Sequence, residues 1–442
     1  MSTATTVKEL LSEAGIDQVL EEVDDEALGF PVPKVVGDGT MFLYTDQIPE
    51  VIAAHLLNPL LHKQTLCFLG PSAIGKTEAI RAGFARAAAE MGREPVFREL
   101  HVSQMGPTDI MGVPRDDGRG RTLWYPPQLF PLAGVLPEHE ADYQEFLAGW
   151  RATGRADWDR MRPHRLYGIF FDEVTNPSQP SIVHQCFPVW MEKRVADHHL
   201  VGDCFTVLAG NRVQDRTNSI NLAASATSRL GLVEVVPRFS GWLRAFAMQP
   251  AQLGDSQQTR IHEMLLAWLL RQPDRFAPDA SGKPQMEPFP SPRTWTFVSD
   301  ILRVHDRHPM SREVLMALVA GRIGSADARQ FEAFMKHWRE LPDVNKLLNS
   351  PHQQGGFGWL PERWPKELDL LIILGTQLVT RMGKNNAKRF MAFMNDPAKF
   401  PPEVAARVMK LLRPSGKLSQ LINEWDTQGF DQFSARYIDL VF

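Results

Sequence analysis

Cysteine is scarce: Cys67, Cys186 and Cys204 are the only three among 442 residues, and none forms a C-x-x-C pair. A disulfide framework or zinc ribbon is therefore not expected, and Cys67 and Cys204, lying in apolar runs, read as buried thiols. An excess of positive charge is missing too. Lys and Arg total 48 against 52 Asp and Glu, for a formal net charge of −4. That balance argues against a strongly basic nucleic-acid binder. Long apolar runs are also absent: Leu368–Gly375 falls far short of the ~20 residues of a membrane span. Met1–Glu13 is polar and lacks the apolar centre of a secretory leader. There is no internal repeat and no low-complexity tract. The remainder is 43% hydrophobic and 23% charged, which describes a globular chain long enough for two or three domains. A reducing, cytoplasmic location without a membrane partner is the expectation.

Against that background one segment stands out. Gly70-Pro71-Ser72-Ala73-Ile74-Gly75-Lys76-Thr77 fits G-x-x-x-x-G-K-[ST] at every fixed position. The apolar run Thr65–Leu69 precedes it and the helix-like Glu78–Met91 follows. A strand leading through a glycine-rich turn into a helix places successive backbone N–H groups around an anion. Lys76 is expected to reach the β- and γ-phosphates, and the Thr77 hydroxyl to ligate Mg²⁺. The segment thus predicts binding of a nucleoside triphosphate. Asn345-Lys346 lacks the aspartate of a guanine-reading N-K-x-D, so GTP gains no support.

Short apolar strands alternate with helical stretches between residues 65 and 240, the pattern of a parallel α/β sheet. Five strands are expected, at Thr65–Leu69, Pro95–Val102, Leu166–Phe171, Cys204–Ala209 and Gly231–Val236. Residues 1–30 read as a helical lead-in, and Ile48–Leu61 as a helix docked ahead of the first strand. After residue 241 the strand signal fades, and Ile261–Arg271, Arg293–Val304, Ser311–Arg322 and Ala326–Trp338 carry helical spacing. The expected organisation is a lead-in over 1–40, an α/β core over 41–240 with an insertion at 137–164, a helical lid over 241–350, and a helical accessory segment over 351–442.

Two strand ends carry further chemistry. Leu166–Phe171 runs into Asp172-Glu173, and strand ends of open parallel sheets are where ligands bind. Asp172 is placed to hold the Mg²⁺ shell, and Glu173 to polarise the water that attacks the γ-phosphate. The next strand ends at Asn211, whose amide can bond that water or the phosphate.

With these elements in place, the chain resembles the AAA+ ATPases, and more closely their MoxR-type branch, over roughly residues 40–335. Met105–Pro114, containing Thr108-Asp109-Ile110-Met111-Gly112, is similar to the family's T-D-(L/I)-M-G-x-P segment, which begins an inserted hairpin. Asn176, Gln185 and Glu192-Lys193-Arg194 are similar to the stretch ahead of sensor 1, and Asn211 to its asparagine. Arg229 falls where the family carries an arginine directed at a neighbouring subunit's nucleotide, although the usual D-R-F reads Ser228-Arg229-Leu230 here. Arg238 stays open as the alternative finger. Ser291-Pro292-Arg293 matches the (S/T)-P-R that opens the sensor 2 helix. Phe239–Ala247, Phe289–Leu302 and Gly324–Phe334 look like a subfamily whose genes often sit beside a von Willebrand factor A-like protein. Arginine suits both assigned roles, because its guanidinium has fixed donors matched to a phosphate.

The resemblance implies a P-loop AAA+ core followed by a helical lid, ATP hydrolysis with Mg²⁺, a ring such as a hexamer, and chaperone-like remodelling of a protein partner. It also places the glycine-rich, charged loop Arg115–Arg121 near a central pore. A nucleic-acid motor or loader, and a scaffold gated by nucleotide without hydrolysis, are the competing readings. Lys76 and Asp172 lie 96 positions apart, an interval lengthened by residues 137–164. His198-His199 has no third ligand at metal spacing and reads as a polar loop.

Overall fold

A computed structural model describes residues 42–441, apart from 59–60, 62–63, 154–163, 202–203, 213–218, 221, 223, 254–255, 279–286, 339–340 and 351–358. The lead-in expected over residues 1–30 lies outside the described residues. The chain divides into two compact units, with the break between Val236 and Pro237.

The first unit is built on a parallel sheet of six strands. These are β1 (Phe42–Tyr44), β2 (Leu66–Leu69), β3 (Glu94–His101), β4 (Arg165–Asp172), β5 (Phe205–Gly210) and β6 (Gly231–Val236). Their spatial order is β1-β6-β2-β5-β4-β3. The five expected strands are all present, but the sheet is not five-stranded. β1 adds an edge strand whose three residues pair with Glu234, Val235 and Val236. It was illegible because Phe42-Leu43-Tyr44 is too short to show the alternation that marks a strand.

Period-two alternation builds both faces of this sheet. Phe68, Phe170, Phe205, Val207 and Ala209 point to one side, where they meet Ile80, Phe84, Ala87 and Ala88 of helix α2 (Lys76–Glu90) and Ile48, Ile52 and Leu56 of helix α1 (Ile48–Leu57). Cys67, Ile169, Phe171 and Leu208 point to the other, against Ile182, Val183, Cys186 and Trp190. Each buried aromatic or aliphatic side chain contributes about 1.5–3 kcal/mol through area removed from water. Burial pushes the Cys67 thiol up to about 12, so it is an inert core group.

Two additions decorate this unit. Val113–Asp116 pairs antiparallel with Thr122–Tyr125, forming the inserted hairpin. Its tip is organised by Asp117, which accepts from Arg119 N–H at 2.8 Å and from Arg121 Nε at 2.7 Å. The excursion at 137–164 contributes the helix Pro137–Thr153. Buried Asp142 ties that helix to β4 by accepting the Tyr167 hydroxyl at 2.5 Å and Arg165 at 3.2 Å. His198-His199 is a correction to the loop reading. The pair forms the second arm of a tight antiparallel hairpin with Arg194–Val195.

The second unit is mainly helical. Its helices include Glu263–Arg271, Pro292–Arg307, Arg312–Ile323, Ser325–Trp338, Leu368–Arg381, Ala387–Met394 and Pro402–Lys410. One hydrophobic cluster runs from Phe239 to Phe433, with Trp268, Trp295, Phe331 and Phe334 fully buried inside it. Trp295 Nε1 donates to the carbonyls of Arg275 and Phe276 at 3.0 and 3.1 Å, so the ring is buried without an orphaned donor. A short hairpin, Pro250–Leu253 with Ser256–Thr259, was not expected in this region. Its Ser-Gln-Gln-Thr arm carries no apolar alternation to announce it.

Candidate active site

The phosphate-loop sequence occupies the turn between β2 and α2. Gly70 is required there by a close approach, since a Cβ would lie 2.2 Å from the Val235 carbonyl oxygen on neighbouring β6. The loop then curls through left-handed backbone at Ala73 (φ 64°) and Gly75 (φ 97°) before entering the helix at Lys76. Gly75 relieves the second of these at no steric cost. A concave loop thus meets the N-terminus of a 15-residue helix, where amide dipoles and free N–H groups favour an anion.

Parallel register aligns the carboxyl ends of the neighbouring strands with this loop. Leu69 pairs with Gly210, and His101 with Asp172. Lys76 is buried, and its ammonium donates to the carbonyls of Gly70 and Pro71 at 2.8 Å each and to Asn211 Oδ1 at 3.2 Å. The Thr77 hydroxyl donates to Asp172 Oδ2 at 2.9 Å. Asp172 Oδ1 accepts the backbone N–H of Glu173 at 2.8 Å. Glu173 itself has φ 58°, a left-handed conformation that bends the chain sharply off the strand. Its carboxylate accepts the hydroxyl of Ser103, which lies on the 3₁₀ turn Val102–Gln104 following β3.

Thus Gly70–Thr77, Asp172, Glu173 and Asn211 converge at one end of the sheet. Thr77 and Asp172 present hard oxygen donors side by side, the donor chemistry that suits Mg²⁺. Arg229 does not join them. It is exposed in the turn before β6, and Gly231 pairs with Leu66 at the start of β2, so Arg229 stands at the opposite end of the sheet from the phosphate loop. Arg293 and Arg238 belong to the helical unit. Arg293 is exposed in the first turn of Pro292–Arg307, whose N-cap Ser291 accepts Thr294 N–H at 3.2 Å.

Three residues at this end carried no sequence assignment. Ser103 sits one turn beyond a strand end, the row from which Asp172 and Asn211 were picked, and that row could have found it. Thr175 had no signal of its own. Its Oγ accepts Asn211 N–H at 2.9 Å and lies 2.9 Å from the Asn211 carbonyl oxygen. Arg212 pairs with Glu234 of β6 at 2.6 Å, both side chains largely buried.

The first unit thus carries a six-stranded parallel sheet with flanking helices, and the second unit is mainly helical. No family model matches the chain, and no curated protein matches it. Similar solved structures include C. elegans PCH-2, at 10% identity and TM-score 0.29, covering 67% of this chain and 71% of that one. NtrX from Brucella abortus in complex with ATP aligns at 12% identity and TM-score 0.27, over 75% of this chain and 74% of its own. An S. cerevisiae Hsp104–ADP complex aligns at 12% identity and TM-score 0.27, over 96% of this chain and 51% of its own. Likeness at this level does not bear on function, whereas the chemistry of the strand ends does.

Proposed function

We propose that this chain binds and hydrolyses ATP as a MoxR-type AAA+ machine. One observation carries the reading: Lys76, Thr77, Asp172, Glu173 and Asn211, drawn from three separated stretches, share one strand-end site beside a helix N-terminus. Lys76 exchanges its carbonyl partners for phosphate oxygens. Thr77 and Asp172 would hold Mg²⁺, which when bound neutralises phosphate charge. Glu173 orients and polarises the attacking water once Ser103 releases its carboxylate, and Asn211 holds the water or the γ-phosphate.

Arg293 acts from the lid within its own chain, and Arg229 from a neighbouring subunit. Its position at the far end of the sheet agrees with a role outside its own pocket and favours it over Arg238 within this reading. Such a site is complete only in a closed ring, a hexamer in the form the resemblance implies. Residues 241–350 serve as the lid and 351–442 as its accessory segment. Their shared hydrophobic cluster suits movement as one body. The work is remodelling of a protein partner in the cytoplasm, with a von Willebrand factor A-like protein the partner the resemblance implies.

The test is steady-state phosphate release with Mg²⁺-ATP by the parent and by Glu173→Gln. Turnover by the parent and a loss of about 100-fold or more in the variant, with nucleotide affinity retained, is expected of a general base. Equal turnover by both proteins overturns the assignment of Glu173. Binding without any turnover by the parent favours the nucleotide-gated scaffold.

A further inference from the structure

The polar groups that face the nucleotide end of the sheet do not hold themselves in place, and Thr175 is built to hold one of them. The residue is 3% exposed. Its Oγ accepts the Asn211 N–H at 2.9 Å and donates to the Asn211 carbonyl at 2.9 Å. One hydroxyl therefore grips the donor and the acceptor of a single residue, a closed ring that restrains both backbone torsions of Asn211. The alternative acceptor, Ser219 Oγ, is farther away at 3.4 Å, so the carbonyl takes the hydroxyl proton.

The surroundings leave Thr175 little freedom to adjust. Val174 N–H donates to the Ala209 carbonyl at 3.0 Å, and the Thr175 carbonyl accepts Ile220 N–H at 2.6 Å. A Cβ at Gly210 would lie 2.8 Å from Thr175 Oγ and 2.9 Å from its Cγ2, so the threonine packs directly on the end of β5. Two residues upstream, Glu173 holds φ 58°, and its carbonyl accepts Asn176 N–H at 2.8 Å. The same four-residue bend thus carries the water-polarising carboxylate at one end and the grip on Asn211 at the other. Asn211 in turn reaches Lys76 through Oδ1 at 3.2 Å.

We propose that Thr175 is a positioning residue that sets the Asn211 amide against the γ-phosphate and locks it in register with Glu173. The proposal rests on the hydrolytic reading given above. Thr175 touches neither nucleotide nor water. It acts through Asn211, so it governs the rate of the chemical step and not the affinity for ATP. Nothing but a hydroxyl serves: valine fills the same volume yet leaves the Asn211 N–H and carbonyl without their partner.

The experiment measures kcat for ATP and equilibrium affinity for a non-hydrolysable ATP analogue in full-length parent, Thr175→Val, Thr175→Ser and Asn211→Ala, and in the Thr175→Val, Asn211→Ala double variant. Thr175→Val is expected to lower kcat about 10- to 100-fold, the scale of a misplaced catalytic contact, with affinity held within about twofold of the parent. Thr175→Ser retains the parent rate, because it keeps the hydroxyl. In the Asn211→Ala background, Thr175→Val adds no more than about twofold. A full additional loss in that background, or a fall in affinity parallel to kcat, overturns the proposal and makes Thr175 a packing residue. If Thr175→Val does not fold, Thr175→Ser decides between the two roles through amide exchange at Asn211, which stays as slow as in the parent if the grip is real and quickens if it is not. A parent that binds the analogue but never turns ATP over is a different result and overturns the hydrolytic reading itself.

Discussion

The two ends of the same parallel sheet each hold a lysine, Lys76 buried and Lys193 half-buried, and they use it oppositely. At the carboxyl end, Lys76 emerges from a helix N-terminus and is held by two loop carbonyls and the amide of Asn211. At the amino end, Lys193 reaches the hydroxyls of Thr65 and Thr206. Those two hydroxyls meet at 2.8 Å, and Thr65 also donates to the Trp190 carbonyl at 2.6 Å. The partners of Lys76 are oxygens a phosphate can replace, and a helix dipole invites the exchange. The partners of Lys193 are a sealed knot that pins the sheet to the turn carrying Trp190. Withdrawing a cation from water, wholly or in part, costs free energy at either end, and only where the surrounding groups also attract an anion is the cation open to function.

This contrast can be broken in order of expected effect. Lys76→Met removes the charge that, in the proposed function, meets the triphosphate, and is expected to weaken ATP binding by about 3 kcal/mol, or ~100-fold, in an equilibrium titration. Lys193→Met, at the other end, leaves that affinity unchanged. A comparable loss in both variants would mean that the two ends are not distinct.

A smaller effect is expected from Ser103→Ala. Freed of the hydroxyl that occupies its carboxylate, Glu173 is available to water more often. Loss of one hydrogen bond worth about 0.7 kcal/mol raises basal turnover ~3-fold. A fall in turnover would instead show that Ser103 aims the carboxylate productively.

A separate effect, on stability and not on nucleotide binding or turnover, is a pH dependence. Burial pushes the Lys193 ammonium down to about 8 from 10.5. Between those values the unfolded chain binds more protons than the native one, so the contribution of this lysine to stability rises with pH across the window. Unfolding free energies of the parent and Lys193→Met, measured from pH 7 to pH 10.5, are expected to diverge in favour of the parent as pH increases. A constant difference would place Lys193 in ordinary contact with solvent.

Legibility followed how local each signal is. The loop Gly70–Thr77 could be read because its glycines, lysine and threonine are consecutive, and the flanking strand and helix announce themselves by apolar period. Asp172-Glu173 and Asn211 could be read because each terminates an apolar run at a strand end. β1 could not, since three residues carry no period. Ser103 had only its place just beyond a strand end to mark it, and Thr175 had no signal at all: a threonine in such a bend is ordinary, and only its partners distinguish it. The charged stretch Arg115–Arg121 reads as a loop in sequence, while its pairing into a hairpin tip depends on the far strand Thr122–Tyr125.

By itself, the sequence determined the alternating faces of the sheet, the glycine-rich turn with its lysine, and the helical character of Ile261–Arg271, Arg293–Val304, Ser311–Arg322 and Ala326–Trp338, because each depends on neighbours within a few positions along the chain. Only the tertiary structure decided that β2 lies between β5 and β6, and this order carries Asn211 to Lys76 and Asp172 to Thr77. It also decided which hydroxyls stand behind the two functional side chains. The hydrogen bond from Lys76 to Asn211 joins residues 135 positions apart. Their pairing follows from which apolar faces pack together, a property of the whole sheet and of no single segment.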